Sequence, residues 1–225
     1  MASFMIKAAA VLAGVGAIGV LGWHGATGWA PSTERYPLQG VDLGADAGPV
    51  EWGMVRARGA DFAYVVATSG ADRRDPAFEA HWAALPEAGL RRGAIHLYSL
   101  CQPARAQANA FNAFVPRTDD ALPAAVDVSF RADCTARPDR ATLIADLEGF
   151  IRTVEAHTQK PLLLRVARGV EREYDITAAI RRPVWTVANM VRSDYAARPW
   201  RMWRASDFRR VEGIEGPVNW DVVAP

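Results

Sequence analysis

The sequence predicts an α/β fold in which a mainly parallel sheet curls toward a barrel, with helices packed outside. Three observations predict it. Strand-like and helix-like stretches alternate from residue 38 to residue 158, the pattern of parallel strands joined by crossover helices. The stretches after that read mostly as strands without intervening helices, as expected of a sheet that closes on itself. Half of the 225 residues are hydrophobic and 23% are charged, the balance of a chain with one sizeable core.

The elements follow in order. "LQGVDLG" (38–44) alternates like a strand, and "PVEWGMVRARG" (49–59) reads as a helix stopped by glycine. "FAYVVATS" (62–69) is β-branched and aromatic, hence a strand. "PAFEAHWAALPEAG" (76–89) starts at proline and ends at glycine, the usual asymmetry of a helix. A strand at 92–100, a helix at 104–115 and a strand around "AAVDVSF" come next. In the helix predicted at 140–158, Ile144, Leu147, Ile151 and Val154 share one face. "KPLLLRVA" and "RPVWTVAN" are further strands, and the tail from "RMWRAS" to "VNWDVV" reads as short antiparallel strands. No internal repeat or low-complexity segment is present.

Charge and termini bound the function. A net charge of +1 gives no electrostatic footprint for nucleic acid or for docking on a membrane surface. At the N-terminus, Lys7 precedes an uncharged run over residues 8–23, the charged start and apolar centre of an export signal. Counted from Phe4 to Trp23, the run is a marginal membrane span, with Trp23 and Trp29 placed for the interface. The favoured reading is an uncleaved signal-anchor with the rest of the chain exported to the periplasm or cell envelope; a cleaved signal is second and a buried helix third. Residues 1–30 are then signal and linker, and 31–225 one domain. Cys101 and Cys134 each follow a predicted strand, so neighbouring strands would let them bridge in an oxidising compartment; two unrelated buried thiols is the plainer reading. Neither has a partner at metal-ligand spacing, so no metal is expected.

Polar and aromatic residues sit at or just past the ends of the predicted strands: Asp42, Ser69, His96, Tyr98, Asp127, Ser129, Trp185 and Asn189. They belong to different strand–helix units but gather on one rim, where sites of such sheets form.

The ordered motifs resemble glycoside hydrolase family 25, the lysozymes that cut peptidoglycan as N-acetylmuramidases. The resemblance covers residues 36–223. It rests on "QGVDLG…GPVEWGMVRARGADFAYVVATSG", "DPAFEAHWAALPEAGLRRGAIHLYS", "QANAF", "AAVDVSF", "RPVWTVAN" and "WRMWRAS…VEGIEGPVNWDVV". It implies a flattened barrel of about five strand–helix units with three closing strands, no cofactor, and peptidoglycan glycan strands as partner. Glycoside hydrolysis usually takes two carboxyl groups. The family carries them as Asp-x-Glu on one strand, where alternate residues face the same side. Asp127 matches the aspartate, and Ser129 stands where the general-acid glutamate belongs. A serine hydroxyl is a poor proton donor to a leaving alkoxide, and losing general acid catalysis costs about 10²–10⁴-fold. Asp42 matches the family's first-strand acid, a supporting group. The last-strand acid falls at Asn219, with Asp221 two residues on as a possible substitute. "ATSG" puts Ser69 where another acid is usual, and "KPLLLRV" puts Leu164 where a tyrosine is frequent.

Plainer readings stand beside these. Asp127 can cap a turn at a strand end, and Asp42 can cap the "DLGAD" loop. His96, alone in an apolar stretch, more often satisfies itself in a core; the resemblance turns it and Tyr98 toward the substrate. Trp185 and Trp203 serve equally as core aromatics or sugar platforms. The arginine-rich "RVARGVERE" and "IRRP" runs read as solvated faces. Glu148, Glu155 and Glu171 lie away from the rim. Three functions compete: a peptidoglycan hydrolase with a weakened acid/base set, a glycan-binding module of the same fold that has lost the chemistry, and, as a weaker third, a structural or inhibitory partner of other envelope enzymes.

Overall fold

The computed structural model describes residues 14, 16 and 18–225. Nine strands form one sheet: β1 (Gln39–Leu43), β2 (Phe62–Ser69), β3 (Arg73–Arg74), β4 (Arg91–Leu97), β5 (Ala125–Val128), β6 (Leu163–Val166), β7 (Val184–Val187), β8 (Trp200–Arg209) and β9 (Val218–Val223). Eight of them close a barrel in the order β1-β9-β8-β7-β6-β5-β4-β2, sealed by pairing of β1 with β2; β3 is a short hairpin arm on β2. Within the barrel, β1, β2 and β4 to β8 pair with one another in parallel, while β9 runs antiparallel to both β8 and β1; the arm β3 is antiparallel to β2. The tail therefore differs from the expected run of short antiparallel strands. β8 is a ten-residue parallel strand, and only β9 reverses.

Helices wrap the outside where the sequence periodicity places them. The helix Arg140–Thr158 starts at Asp139, whose side chain accepts from the Thr142 backbone N–H (3.0 Å), and stops at Gln159 in the left-handed conformation, φ 58°. Leu143, Leu147, Phe150, Ile151 and Val154 form its buried face. The helix predicted at 49–59 is shorter, Trp52–Ala57. Two short helices not anticipated from sequence, Arg168–Tyr174 and Ile176–Ala179, follow β6. The first of them falls in the arginine-rich run at 165–173 that reads as a solvated face, yet Val170 is buried there, and Tyr174 and Ile176 just beyond it are buried too.

Hydrophobic side chains separate into two clusters. The larger lies between sheet and helices. The smaller fills the barrel with Phe62, Tyr64, Ile95, Ala125, Leu163, Trp185 and Met202. Residues alternate between the two along each strand, as the pleat requires. This alternation decides which side chains reach the barrel mouth.

Most of the apolar run from Phe4 to Trp23 lies outside the described residues. Among the described residues no helix is long and apolar enough to cross a membrane. Thr27 anchors the chain after it, accepting the Arg210 backbone N–H on its carbonyl (2.8 Å).

Candidate active site

A cleft of about 660 Å³ opens at the C-terminal ends of the parallel strands. Asp42, Asp127, Ser129, Arg165, Arg204 and Asn219 line its floor. Asp127 on β5 and Arg165 on β6 are register partners, as are Asp42 on β1 and Asn219 on β9, so each pair projects inward side by side.

The floor is a closed network. Arg165 bridges the two carboxylates: its Nε–H donates to Asp127 Oδ2 (2.5 Å) and an Nη1–H to Asp42 Oδ1 (2.9 Å). Arg204 grips Asp42 in a fork, Nε to Oδ2 (2.9 Å) and Nη2 to Oδ1 (2.6 Å). Asn219 Nδ2–H donates to Asp42 Oδ1 (3.1 Å). The other oxygen of Asp127 accepts the Ser129 hydroxyl (2.7 Å). Asp42 is 3% exposed and Arg165 4%, whereas Asp127 is 14% exposed. The formal charges of Asp42, Asp127, Arg165 and Arg204 cancel.

Burial alone would raise the Asp42 pKa, but the Arg204 and Arg165 guanidiniums outweigh it and hold this carboxyl at about 2. Below it, Asp221 is fully buried and accepts the Trp185 indole N–H on Oδ1 (2.9 Å). Burial, and then the charge on Asp42, push Asp221 well above the ordinary carboxylate range, so it stays protonated beside an ionised Asp42. The linkage runs in opposite senses. Asp42, depressed, contributes stability above its unfolded pKa near 4 that is lost as pH falls toward 2. Asp221, raised, contributes stability below pH ~4 that is lost as pH rises toward its folded value. The neutral isostere D221N is therefore expected to match the wild-type melting temperature near pH 4 and to exceed it increasingly toward pH 7. A difference in melting temperature that stays constant with pH would disprove the protonated state of Asp221.

The structure corrects several sequence expectations. His96 and Tyr98 do not face the cleft. On β4 the inward residues are Ile95 and Leu97, so His96 turns out to the helices. There it stacks on Phe150 (4.8 Å) between Thr68 Oγ1 (2.8 Å) and Gln107 Oε1 (3.1 Å). Burial lowers its pKa to about 4, so the ring is neutral. Tyr98 packs edge-on against Phe150. Trp203 also points outward, against Tyr36 and Trp200, its indole N–H on the Ala188 carbonyl (2.7 Å). Trp185 points inward but is wholly buried, its ring beneath Arg165 (4.6 Å). None of the four offers a face to a sugar. Ser69 lies past a bulge in β2, beside Arg73 (3.3 Å), outside the cleft lining. Asp221 shares the inward face with Asn219 but sits too deep to reach a bound molecule.

Arg165 and Arg204, which dominate the floor, were missed. The sequence places Leu164 at the cleft on β6, yet it packs under the helices, and its neighbour Arg165 turns inward. One signal existed. A lone arginine inside "LLLRV" is a charge within a buried strand, and such a charge needs a partner. At the rim, Cys101 and Cys134 are joined in a disulfide, with Cα atoms 5.8 Å apart, tying the loops after β4 and β5 together. Arg73 of β3 pairs with Asp133 in the same wall. Among the described residues no cluster of histidine, cysteine or acid is arranged to hold a metal ion.

Known proteins share this architecture. The family model of the glycosyl hydrolases family 25 matches residues 41–214. The uncharacterized protein YegX of Escherichia coli K12 is 31% identical over 195 residues, covering 83% of this chain and 70% of that protein. Lysozyme M1 of Streptomyces globisporus is 37% identical over a shorter stretch of 59 residues, 26% of this chain and 20% of the lysozyme. A family 25 glycosyl hydrolase from Bacillus anthracis superposes with a TM-score of 0.80 at 25% identity, over 86% of this chain and 92% of that one. A bacterial lysozyme from Streptomyces coelicolor has the same fold, with a TM-score of 0.76 at 23% identity over 84% and 92%. With the family model spanning most of the barrel and its mouth, this chain belongs to glycosyl hydrolase family 25, as a lysozyme-like member.

Proposed function

We propose that the chain binds peptidoglycan glycan strands in the cleft and hydrolyses their β-1,4 bonds far more slowly than a complete acid/base pair would. The observation that carries this reading is the state of Asp127. One oxygen accepts from Arg165 and the other from Ser129, and these bonds stabilise the carboxylate and so weaken it as base or nucleophile. Four other acids, Asp46, Asp75, Asp207 and Glu215, line the cleft, but none is hydrogen-bonded to Asp127 or Ser129; Asp75 accepts the Ala45 and Ala77 backbone N–H groups and Asp207 the Asn189 side chain. Asp42 is ionised and takes four hydrogen bonds from Arg165, Arg204 and Asn219, and Asp221 is sealed beneath Trp185. Family membership supports the substrate class, and the Cys101–Cys134 disulfide supports export to an oxidising envelope compartment. The apolar N-terminal segment is proposed to direct the chain there and anchor it.

Purified sacculi test this directly. The full chain is expected to co-sediment with sacculi saturably and to release muropeptides at or near background from pH 4 to pH 8. Release at the level of an active family 25 lysozyme would overturn the silent assignment. Absence of sedimentation would overturn glycan binding.

A further inference from the structure

The opposite end of the barrel holds a second cavity, of about 250 Å³, at the N-terminal ends of the strands. In barrels of this kind inward side chains fill successive layers and leave no hole. Here the lowest layer is incomplete, and the reason is local. The inward positions on β1 and β4 are Gly40 and Gly93, which flank β2. A methyl group at Gly40 would collide with the Phe62 ring, and one at Gly93 with the Tyr64 ring. The glycines let both rings lie flat across their neighbours, so the space below stays empty. Phe62, Tyr64, Leu122, Leu163, Met202 and Val223 wall it. Its only buried hydroxyl, on Tyr64, donates to the Pro123 carbonyl (2.9 Å). An apolar cavity without free polar partners does not hold water well and takes apolar guests.

The mouth is charged. Arg91 and Arg201 border it and are exposed. Arg201 donates one Nη1–H to the Ala224 carbonyl (3.1 Å), leaving further donors free. The single acid there, Asp61, already accepts the Gln39 backbone N–H on Oδ2 (3.1 Å). The layer above closes the cavity off from the cleft: Tyr64 packs on Trp185 (5.1 Å), and Arg165 lies over the other side of that ring (4.6 Å).

We propose that this cavity binds a single-chain fatty-acyl carboxylate, the aliphatic tail inside the barrel and the carboxylate between Arg91 and Arg201. The apolar wall selects the chain, and two guanidiniums against one occupied acid select a negative head group. The volume is below that of a drug-sized site, which suits one unbranched chain. The site is separate from the glycan cleft and does not depend on what that cleft binds.

Calorimetric titration of the full chain, purified without detergent, tests the proposal with decanoate and decyltrimethylammonium. Decanoate is expected to bind saturably at one site and more tightly than the cation of equal chain length. L163F, which puts a ring into the cavity, is expected to weaken decanoate about tenfold, since one methylene-scale misfit in an apolar site is worth that much. R91E/R201E is expected to weaken decanoate by about fivefold or more, the scale of exposed ion pairs, without weakening decyltrimethylammonium. If L163F fails to fold, the charge-reversed variant decides, because both arginines are on the surface. No saturable decanoate binding, equal affinity for the two head groups, or decanoate binding untouched by R91E/R201E would each overturn it. So would binding to phosphatidylglycerol vesicles without binding of free decanoate, which would assign the arginines to a lipid surface.

Discussion

S129E, which places a carboxyl two residues from Asp127, is expected to raise muropeptide release from sacculi by about 10²-fold, the low end of what general acid catalysis contributes. Position 129 is two residues from Asp127 and lines the same cleft, so a longer carboxylic side chain there projects over the carboxylate it would work with. The gain stays at the low end for two reasons. Arg131 also lines the cleft, and Arg165 is bonded to the neighbouring Asp127. Both cations favour the ionised form of a new glutamate, leaving less of it protonated as the acid. Asp127 itself remains tied to Arg165, although the Ser129 hydroxyl no longer occupies its second oxygen. A folded S129E protein with no gain would show that the arginine clamp, and not the lack of a carboxyl at position 129, limits turnover.

Removing the clamp has the largest expected effect on stability. R165L is expected to cost about 3 kcal/mol in chemical denaturation, because it takes the shared cation from two carboxylates. The loss stands at the lower end for a broken buried pair. Asp42 keeps the Arg204 fork and Asn219, and Asp127 is open enough at 14% exposure to gain some water. R165K is expected to recover only part of it, since an ammonium on one stem does not present the fork that reaches Asp127 and Asp42 together. The variant D127N/R165L, which removes charge from both β5 and β6, should cost less than R165L alone. If R165L melts and denatures like wild type, Arg165 is not the keystone of the cleft floor.

Much of this architecture is legible in the sequence. Alternating patterns placed β1, β2, β4 and β5, and the helix from residue 140 was placed to the residue, because its apolar face and its Asp139 cap agree. The motif order pointed to the family, and the two-residue spacing put Asp127 and Ser129 in one cleft. Legibility stopped at facing. His96 and Tyr98 sit at the end of β4 as expected and Trp203 lies within β8, yet each falls on the outward phase of its strand, and a one-residue difference in phase exchanges cleft for core. Trp185 has the inward phase but the wrong depth, a quantity that strand tilt and barrel closure set together.

By itself the sequence determined the strand and helix pattern, the family, and a serine rather than a carboxyl two residues beyond Asp127, since these depend on residue type and local spacing. Only the tertiary structure decided what became of the remaining charges. Arg165 and Arg204 lie 123 and 162 residues from Asp42, and no local pattern announces a contact over such distances. Closing the barrel brings β1, β5, β6 and β8 to one mouth, where burial in a low-dielectric floor makes each carboxylate take the nearest guanidinium. The same closure leaves Gly40 and Gly93 on either side of two aromatic rings, and so opens a cavity that neither glycine foretells alone.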